Sequence, residues 1–88
     1  MVIKILGTGC PNCQHLEART REVLRELGVT AEVILVKDVP AILAYGVMAT
    51  PALVINEKVR AIGIPSKGKI AAFVRGELFS EAQTVNKN

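Results

Sequence analysis

Aromatic and imidazole chemistry is nearly missing from this chain, which has no tryptophan, one tyrosine (Tyr45), two phenylalanines (Phe73 and Phe79) and one histidine (His15). A core must therefore be built from Val, Ile, Leu and Ala. Half of the 88 residues are apolar, which suffices for one domain and leaves no room for a second. Runs of like charge are also absent. Eleven basic residues are interleaved with eight acidic ones for a net charge of +3. Without a basic run or aromatics between basic residues, there is no nucleic-acid footprint. No apolar stretch approaches the roughly 18 residues of a membrane span. The apolar run at the N-terminus, Val2 to Leu6 with Lys4 inside it, is too short for the core of a secretory leader. The expected setting is the cytoplasm, with neither nucleic acid nor membrane as a partner.

Cysteine is scarce in the same way: Cys10 and Cys13 are the only two, and two residues separate them. A stable structural disulfide is unusual in the cytoplasm. A bridge closing so short a loop would also constrain the unfolded chain little. A C-x-x-C between a strand and a helix reads instead as a redox motif.

The chain in order supplies that strand and helix. Val2 to Leu6 reads as a strand apolar on both faces apart from Lys4, as a sheet covered on two sides requires. Gly7-Thr8-Gly9 makes a flexible turn. A helix then starts near Cys10 or Pro11, with Pro11 suited to its first position, and runs to Leu27 before Gly28. Leu16, Thr20, Val23, Leu24 and Leu27 form its apolar stripe, and Glu17 and Arg21 an i,i+4 pair. Ala31 to Val36 reads as a second strand, parallel to the first through a right-handed crossover. Asp38 or Val39 caps a short helix before Gly46, with Val39, Ile42 and Leu43 on one face and Val47 packed beside them. Ala52 to Ile55 and Val59 to Ile62 form a hairpin about Asn56-Glu57-Lys58. Pro65 and Ser66 introduce a third helix with Ile70, Phe73 and Val74 on its apolar face, ending at or near Gly76. The expected domain is residues 1–76, with 77–88 an extension that adds a turn through Leu78 and Phe79 and frays at its end. The order βαβαββα predicts an α/β protein of three layers, α/β/α, whose four-stranded mixed sheet runs 2-1-3-4.

The thiolate, not the thiol, attacks disulfides, so what matters is where negative charge is favoured. Cys10 stands at a helix N-terminus, whose unpaired N–H groups and dipole favour an anion. Cys13 lies a turn further in and gains less. That asymmetry makes Cys10 the nucleophile and Cys13 the resolving thiol, with a Cys10–Cys13 disulfide as the oxidised state. Pro11 and Asn12 between them tune the centre. His15, more than a turn along, reads as a solvated helix residue.

Thr50-Pro51, just before the third strand, is the second candidate feature. Taken alone it favours a trans bond, since X-Pro bonds are cis only about 5–6% of the time. With Gly7 to Gln14, the element order and Ala49-Thr50-Pro51 together, the chain resembles the thioredoxin-like superfamily. It is most similar to the small, glutaredoxin-sized redox-active disulfide proteins of prokaryotes. The resemblance implies a cis Thr50–Pro51 bond facing the cysteines, with the Thr50 backbone free to pair with an extended substrate segment. It implies a thiol–disulfide oxidoreductase with no cofactor beyond the Cys10–Cys13 disulfide and no metal. It also implies disulfide-containing protein substrates, a thioredoxin-reductase-type electron donor and a monomeric state.

This sequence departs from thioredoxin's usual pattern in having Gly9 where a Trp precedes the first cysteine and Pro-Asn where Gly-Pro lies between the two. Its first strand carries Lys4 where a buried carboxylate is usual. That lysine either favours a thiolate or snorkels to the edge. The basic residue and Gly-Gly turn by which glutaredoxins hold glutathione are missing. Two rival readings stand beside the oxidoreductase. Gly7-x-x-Cys10-x-x-Cys13 also looks like a heavy-metal-associated Cu(I) carrier, two soft thiolates sufficing for that ion. That family is βαββαβ, however, and its usual Met is replaced here by Thr8. A redox sensor whose disulfide alters a partner interface is the other. Zinc would need four ligands where only Cys10, Cys13 and His15 cluster.

Overall fold

The computed structural model describes residues 1–86, with side chains described through residue 79. β1 (Val2–Leu6) alternates Ile3 and Ile5 toward one face and Lys4 and Leu6 toward the other. α1 (Pro11–Leu27) follows with Cys10 as N-cap and Pro11 in the first turn. Its C-cap, Gly28, is left-handed at φ 68° and donates its N–H to the carbonyls of Leu24 and Arg25. Cys13, Leu16, Thr20, Val23 and Leu24 are its buried row, as the helical spacing predicts.

β2 (Glu32–Val36) lies parallel to β1, from Val2 opposite Glu32 to Leu6 opposite Val36. α2 (Val39–Ala44) is capped by the Asp38 carboxylate, which accepts the Ala41 N–H at 3.3 Å. The expected apolar face of α2 needs correction. Ile42 is buried, as is Val47 beyond the helix, but Val39 and Leu43 are exposed. A helix of six residues sets one row against the sheet, and Ile42 fills the place over Leu6, Ala52 and Val54.

β3 (Ala52–Ile55) runs antiparallel to β1 and is buried at all four residues. It turns at Asn56 and Glu57, at φ 49° and 67°, into β4 (Lys58–Ile62). Two residues at positive φ are the signature of the tight hairpin turn that matches strand twist. The β3–β4 register shifts between Leu53 and Val54. α3 (Lys67–Asn86) begins where the Ser66 hydroxyl accepts the Lys69 N–H at 3.2 Å. It does not end at Gly76. Glycine inside a helix costs about 1 kcal/mol, and the next residue offsets that: Glu77 is 3% exposed and bonded to Asn56 and Arg60 of the hairpin. The fraying expected of the last residues falls, for 87 and 88, outside the described residues.

The sheet order is β2-β1-β3-β4. Ile3, Ile5, Leu53 and Ile55 meet Leu16, Val23 and Leu24 of α1 and Ile70 and Val74 of α3 on one side. Leu6, Ala52 and Val54 meet Ile42 and Val47 on the other. These are the three layers that the element order predicts. Full burial of each such aliphatic side chain contributes about 1.5–3 kcal/mol. The two central strands are thus fixed from both faces, and the loops at their ends inherit defined positions. Among the described residues no helix is long and apolar enough to cross a membrane.

Candidate active site

The β1–β3 register brings the two separated sequence features together. Leu6 pairs with Ala52, so the chain leaving β1 at Gly7 passes the chain entering β3 at Pro51. The Gly7 N–H still bonds to the Val36 carbonyl at 2.9 Å, so this end of β1 is held by both neighbours. Slipping the pairing by one residue would reverse every side chain of β1 and destroy both cores. The placement of Gly7 beside Pro51 is therefore as secure as the hydrophobic pattern.

From Gly7 the backbone turns through Gly9, at φ 95°, into Cys10. Cys10 and Cys13 form a disulfide with Cα atoms 5.1 Å apart, ordinary for such a bridge. The Cys13 N–H points at the Cys10 sulfur, 3.3 Å away. Among the described residues, the first turn of α1 therefore directs a backbone donor at the Cys10 sulfur and none at that of Cys13. Exposure divides them in the same sense: Cys10 is partly exposed and Cys13 only 6%. Pro11 and Asn12 lie exposed between them, and His15 faces solvent on the next turn.

The Thr50–Pro51 bond is cis, with Thr50 exposed and Pro51 buried. The Pro51 carbonyl accepts the Gly63 N–H at 2.7 Å, tying this turn to the end of β4. Thr50 lies close to the cysteines, as one geometric probe makes plain. A Cβ built on Gly7 would stand 3.1 Å from Cys13 Cβ, 3.9 Å from Thr50 Cβ, and closer to Cys13 Sγ than real Cβ atoms come. Gly7 is thus a member of the site that sequence reasoning misses, since its position reads only as a turn. Its backbone is not left-handed; what it supplies is space. The signal available was its place directly after an apolar strand and three residues before Cys10.

Lys4 does not reach the cysteines. Its ammonium donates to the Tyr45 hydroxyl at 2.8 Å and pairs with Glu57, and the Tyr45 hydroxyl donates to Glu57 at 2.9 Å. The hydrogen bond to Glu57, then that to Tyr45, pushes the lysine up to about 12. Glu57 is correspondingly held below the usual carboxylate range by Lys4. Of the two readings of Lys4, the structure gives the one in which it reaches the edge of the sheet.

A cleft of about 430 Å³ opens beside Cys13, between the start of α1 and the ends of β1 and β2. It is lined by Ile5, Gly7, Gly9, Cys13, Gln14, Glu17, Leu35 and Lys37. The Glu17 carboxylate is also paired with Arg21 at 3.0 Å. Among the described residues there is no group of three or more His, Cys, Asp or Glu arranged to hold a metal ion. The helix α2 after β2, where the heavy-metal-associated order has a strand, separates this chain from that fold.

Comparison with known proteins agrees with this architecture. The family described as the thioredoxin domain matches residues 1–75. A thioredoxin of Methanothermobacter thermautotrophicus is 42% identical over 71 residues, covering 80% of this chain and 92% of the relative. A thioredoxin of Methanocaldococcus jannaschii is 34% identical over 82 residues, covering 88% and 94%. A probable thioredoxin of Archaeoglobus fulgidus is 33% identical over 69 residues, covering 75% and 76%. With its redox-type cysteine pair at the head of α1, the cis Thr50–Pro51 turn beside it and this span of similarity, the chain belongs to the thioredoxin family.

Proposed function

We propose that this chain is a thiol–disulfide oxidoreductase working through a dithiol mechanism at Cys10 and Cys13. The observation that carries the reading is the disulfide at the N-terminus of α1 in a thioredoxin-family fold. Reduced, the pair presents Cys10 to solvent with the Cys13 N–H and the helix N-terminus favouring its thiolate. Cys10 attacks one sulfur of a substrate disulfide and releases the other as a thiol. Cys13 then attacks Cys10, freeing the second substrate thiol and leaving the Cys10–Cys13 disulfide, which a reductase of the thioredoxin-reductase type resets.

The substrates are disulfide-bearing proteins. Thr50 is exposed beside the site and lies outside the β3 ladder, so its backbone is available to an extended substrate strand as in β-strand addition. Pro51 holds that segment in place, while Pro11 and Asn12 shape the surface between the sulfurs.

A redox-buffer titration, with thiols trapped by alkylation and counted by mass, tests the reading alongside Cu(I) and Zn(II) binding. The expected result is one reversible two-electron transition and catalytic reduction of a disulfide-bearing protein. Tight Cu(I) binding by both sulfurs with no reductase activity would overturn it. Cys13→Ser is expected to accumulate mixed disulfides with the substrate and Cys10→Ser is not; the opposite result exchanges the two roles.

A further inference from the structure

We infer that Glu17 is the proton acceptor through which Cys13 becomes a nucleophile in the resolving step. The inference rests on the dithiol mechanism proposed above. That mechanism needs Cys13 to lose a proton while it is nearly enclosed, at 6% exposure, where burial disfavours the thiolate. The helix start does not help it, because the N–H it directs at sulfur goes to Cys10. β1 offers no carboxylate, and its one charged side chain, Lys4, is held by Tyr45 and Glu57 on the opposite face of the sheet.

The cleft opens to solvent beside Cys13, and among the described residues Glu17 is the one carboxylate lining it. Cys13 and Glu17 are i and i+4 on α1, so their side chains leave the helix on one face about 5–6 Å apart at Cβ. At about 430 Å³ the cleft has room for water between them. The charged residues of its lining are Glu17 from α1 and Lys37 from the segment after β2, and Arg21 pairs with Glu17 from outside the lining.

The Cys13 thiol gives its proton to the Glu17 carboxylate. The resulting thiolate bonds to Cys10 Sγ, and the bond between Cys10 and the substrate sulfur breaks. The electron pair leaves on that substrate sulfur, which takes the proton back from Glu17 or from solvent. The cysteine pair is oxidised by two electrons and the substrate reduced by two. Glu17 acts through Cys13 and does not contact the substrate, so its effect is confined to one phase of the reaction.

Stopped-flow reaction of the reduced protein with 5,5′-dithiobis(2-nitrobenzoate) separates the two phases. The first thionitrobenzoate released reports attack by Cys10, and the second reports resolution by Cys13. Glu17→Gln is expected to leave the first phase within about twofold and slow the second about 10²-fold at pH 7, the low end for a positioned proton acceptor. The difference should disappear toward pH 10, where hydroxide removes the proton unaided. Arg21→Ala, which breaks the ion pair but keeps the carboxylate, should leave the second phase near the wild-type rate. An unchanged second phase in Glu17→Gln, slowing of both phases, or equal slowing at every pH would overturn the assignment and leave the dithiol mechanism standing. A wild-type protein that releases no second thionitrobenzoate would overturn that mechanism, and this assignment with it.

Discussion

Replacing Gly7 by alanine should make the Cys10–Cys13 disulfide easier to reduce. The added methyl group meets Cys13 in two ways. Its contact with Cys13 Cβ, at 3.1 Å, exists in both redox states and asks for a small backbone adjustment in each. Its collision with Cys13 Sγ belongs to the oxidised state, where the bond to Cys10 fixes the sulfur. Once reduced, Cys13 can turn its sulfur into another staggered rotamer, with the adjoining cleft to receive it. Overpacking of this kind costs about 1–3 kcal/mol. If that penalty falls on the disulfide, the potential rises by about 20–60 mV, at 30 mV per 1.4 kcal/mol for a two-electron couple. Equilibration of wild type and Gly7→Ala in the same dithiol buffers, followed by acid quench, alkylation and mass analysis, measures the shift. Thermal melts of both proteins in both redox states accompany it. A potential within about 10 mV of wild type, with equal losses of melting temperature in the oxidised and reduced forms, would refute the claim that Gly7 makes room for the sulfur.

Two other sites allow comparably direct tests. Glu77 is buried and accepts from Asn56 and Arg60, with Lys58 nearby, and the Asn56 bond, then Arg60, holds its carboxyl below the usual range. Glu77→Gln should cost about 2 kcal/mol at pH 7 by denaturant titration, less than a fully buried pair would, because Arg60 and Lys58 can turn to water. A carboxyl with a depressed native pKa contributes its stability above its unfolded value near 4.5 and loses it as pH falls through the native one. The gap between wild type and variant should therefore narrow as the pH falls below about 4.5; a gap that persists in acid would mean that packing, not charge, is responsible. At Thr20, whose buried hydroxyl has no partner among the described residues, Thr20→Val should stabilise the protein by about 1 kcal/mol and raise the melting temperature by about 4–8 °C. A lower melting temperature would show that the hydroxyl is bonded.

What could be read from the sequence followed the range over which each signal acts. The stripe on α1, the Asp38 cap, the glycine after Leu27 and the two central apolar strands are local patterns, and each stands where it was expected. Strand order 2-1-3-4 came from connection rules that need only element type and loop length. The misreadings lie where a partner distant in sequence decides. Gly76 reads as a stop until Asn56 and Arg60 are seen holding Glu77. Val39 and Leu43 read as core until the short α2 proves able to seat one row. Lys4 was ambiguous because Tyr45 and Glu57, which claim it, lie 41 and 53 positions away. The candidate site divides in the same way. Cys10, Cys13 and their asymmetry are local chemistry, whereas the need for glycine at position 7 depends on where α1 drops the Cys13 sulfur.

The unequal placement of the two sulfurs bears on which chemistry the site suits. A soft-metal carrier binds its ion through thiolates that the ion can reach. Here one sulfur is accessible and the other is enclosed by Gly7, the Thr50 turn and the body of α1. In the proposed mechanism a bulky disulfide meets Cys10, the more exposed sulfur, first. Cys13 is then the nearest thiol to the resulting adduct, on the adjacent helical turn with its Cα 5.1 Å from that of Cys10. Holding two reactants in one molecule replaces a collision with an intramolecular step and can supply an effective concentration far above that of any free thiol. The enclosure of Cys13 is thus the feature that commits it to Cys10 in the proposed mechanism. The proposed second step is fastest near neutral pH when a group beside the buried thiol takes its proton. That dependence links the packing around Gly7 to the cleft that Glu17 lines.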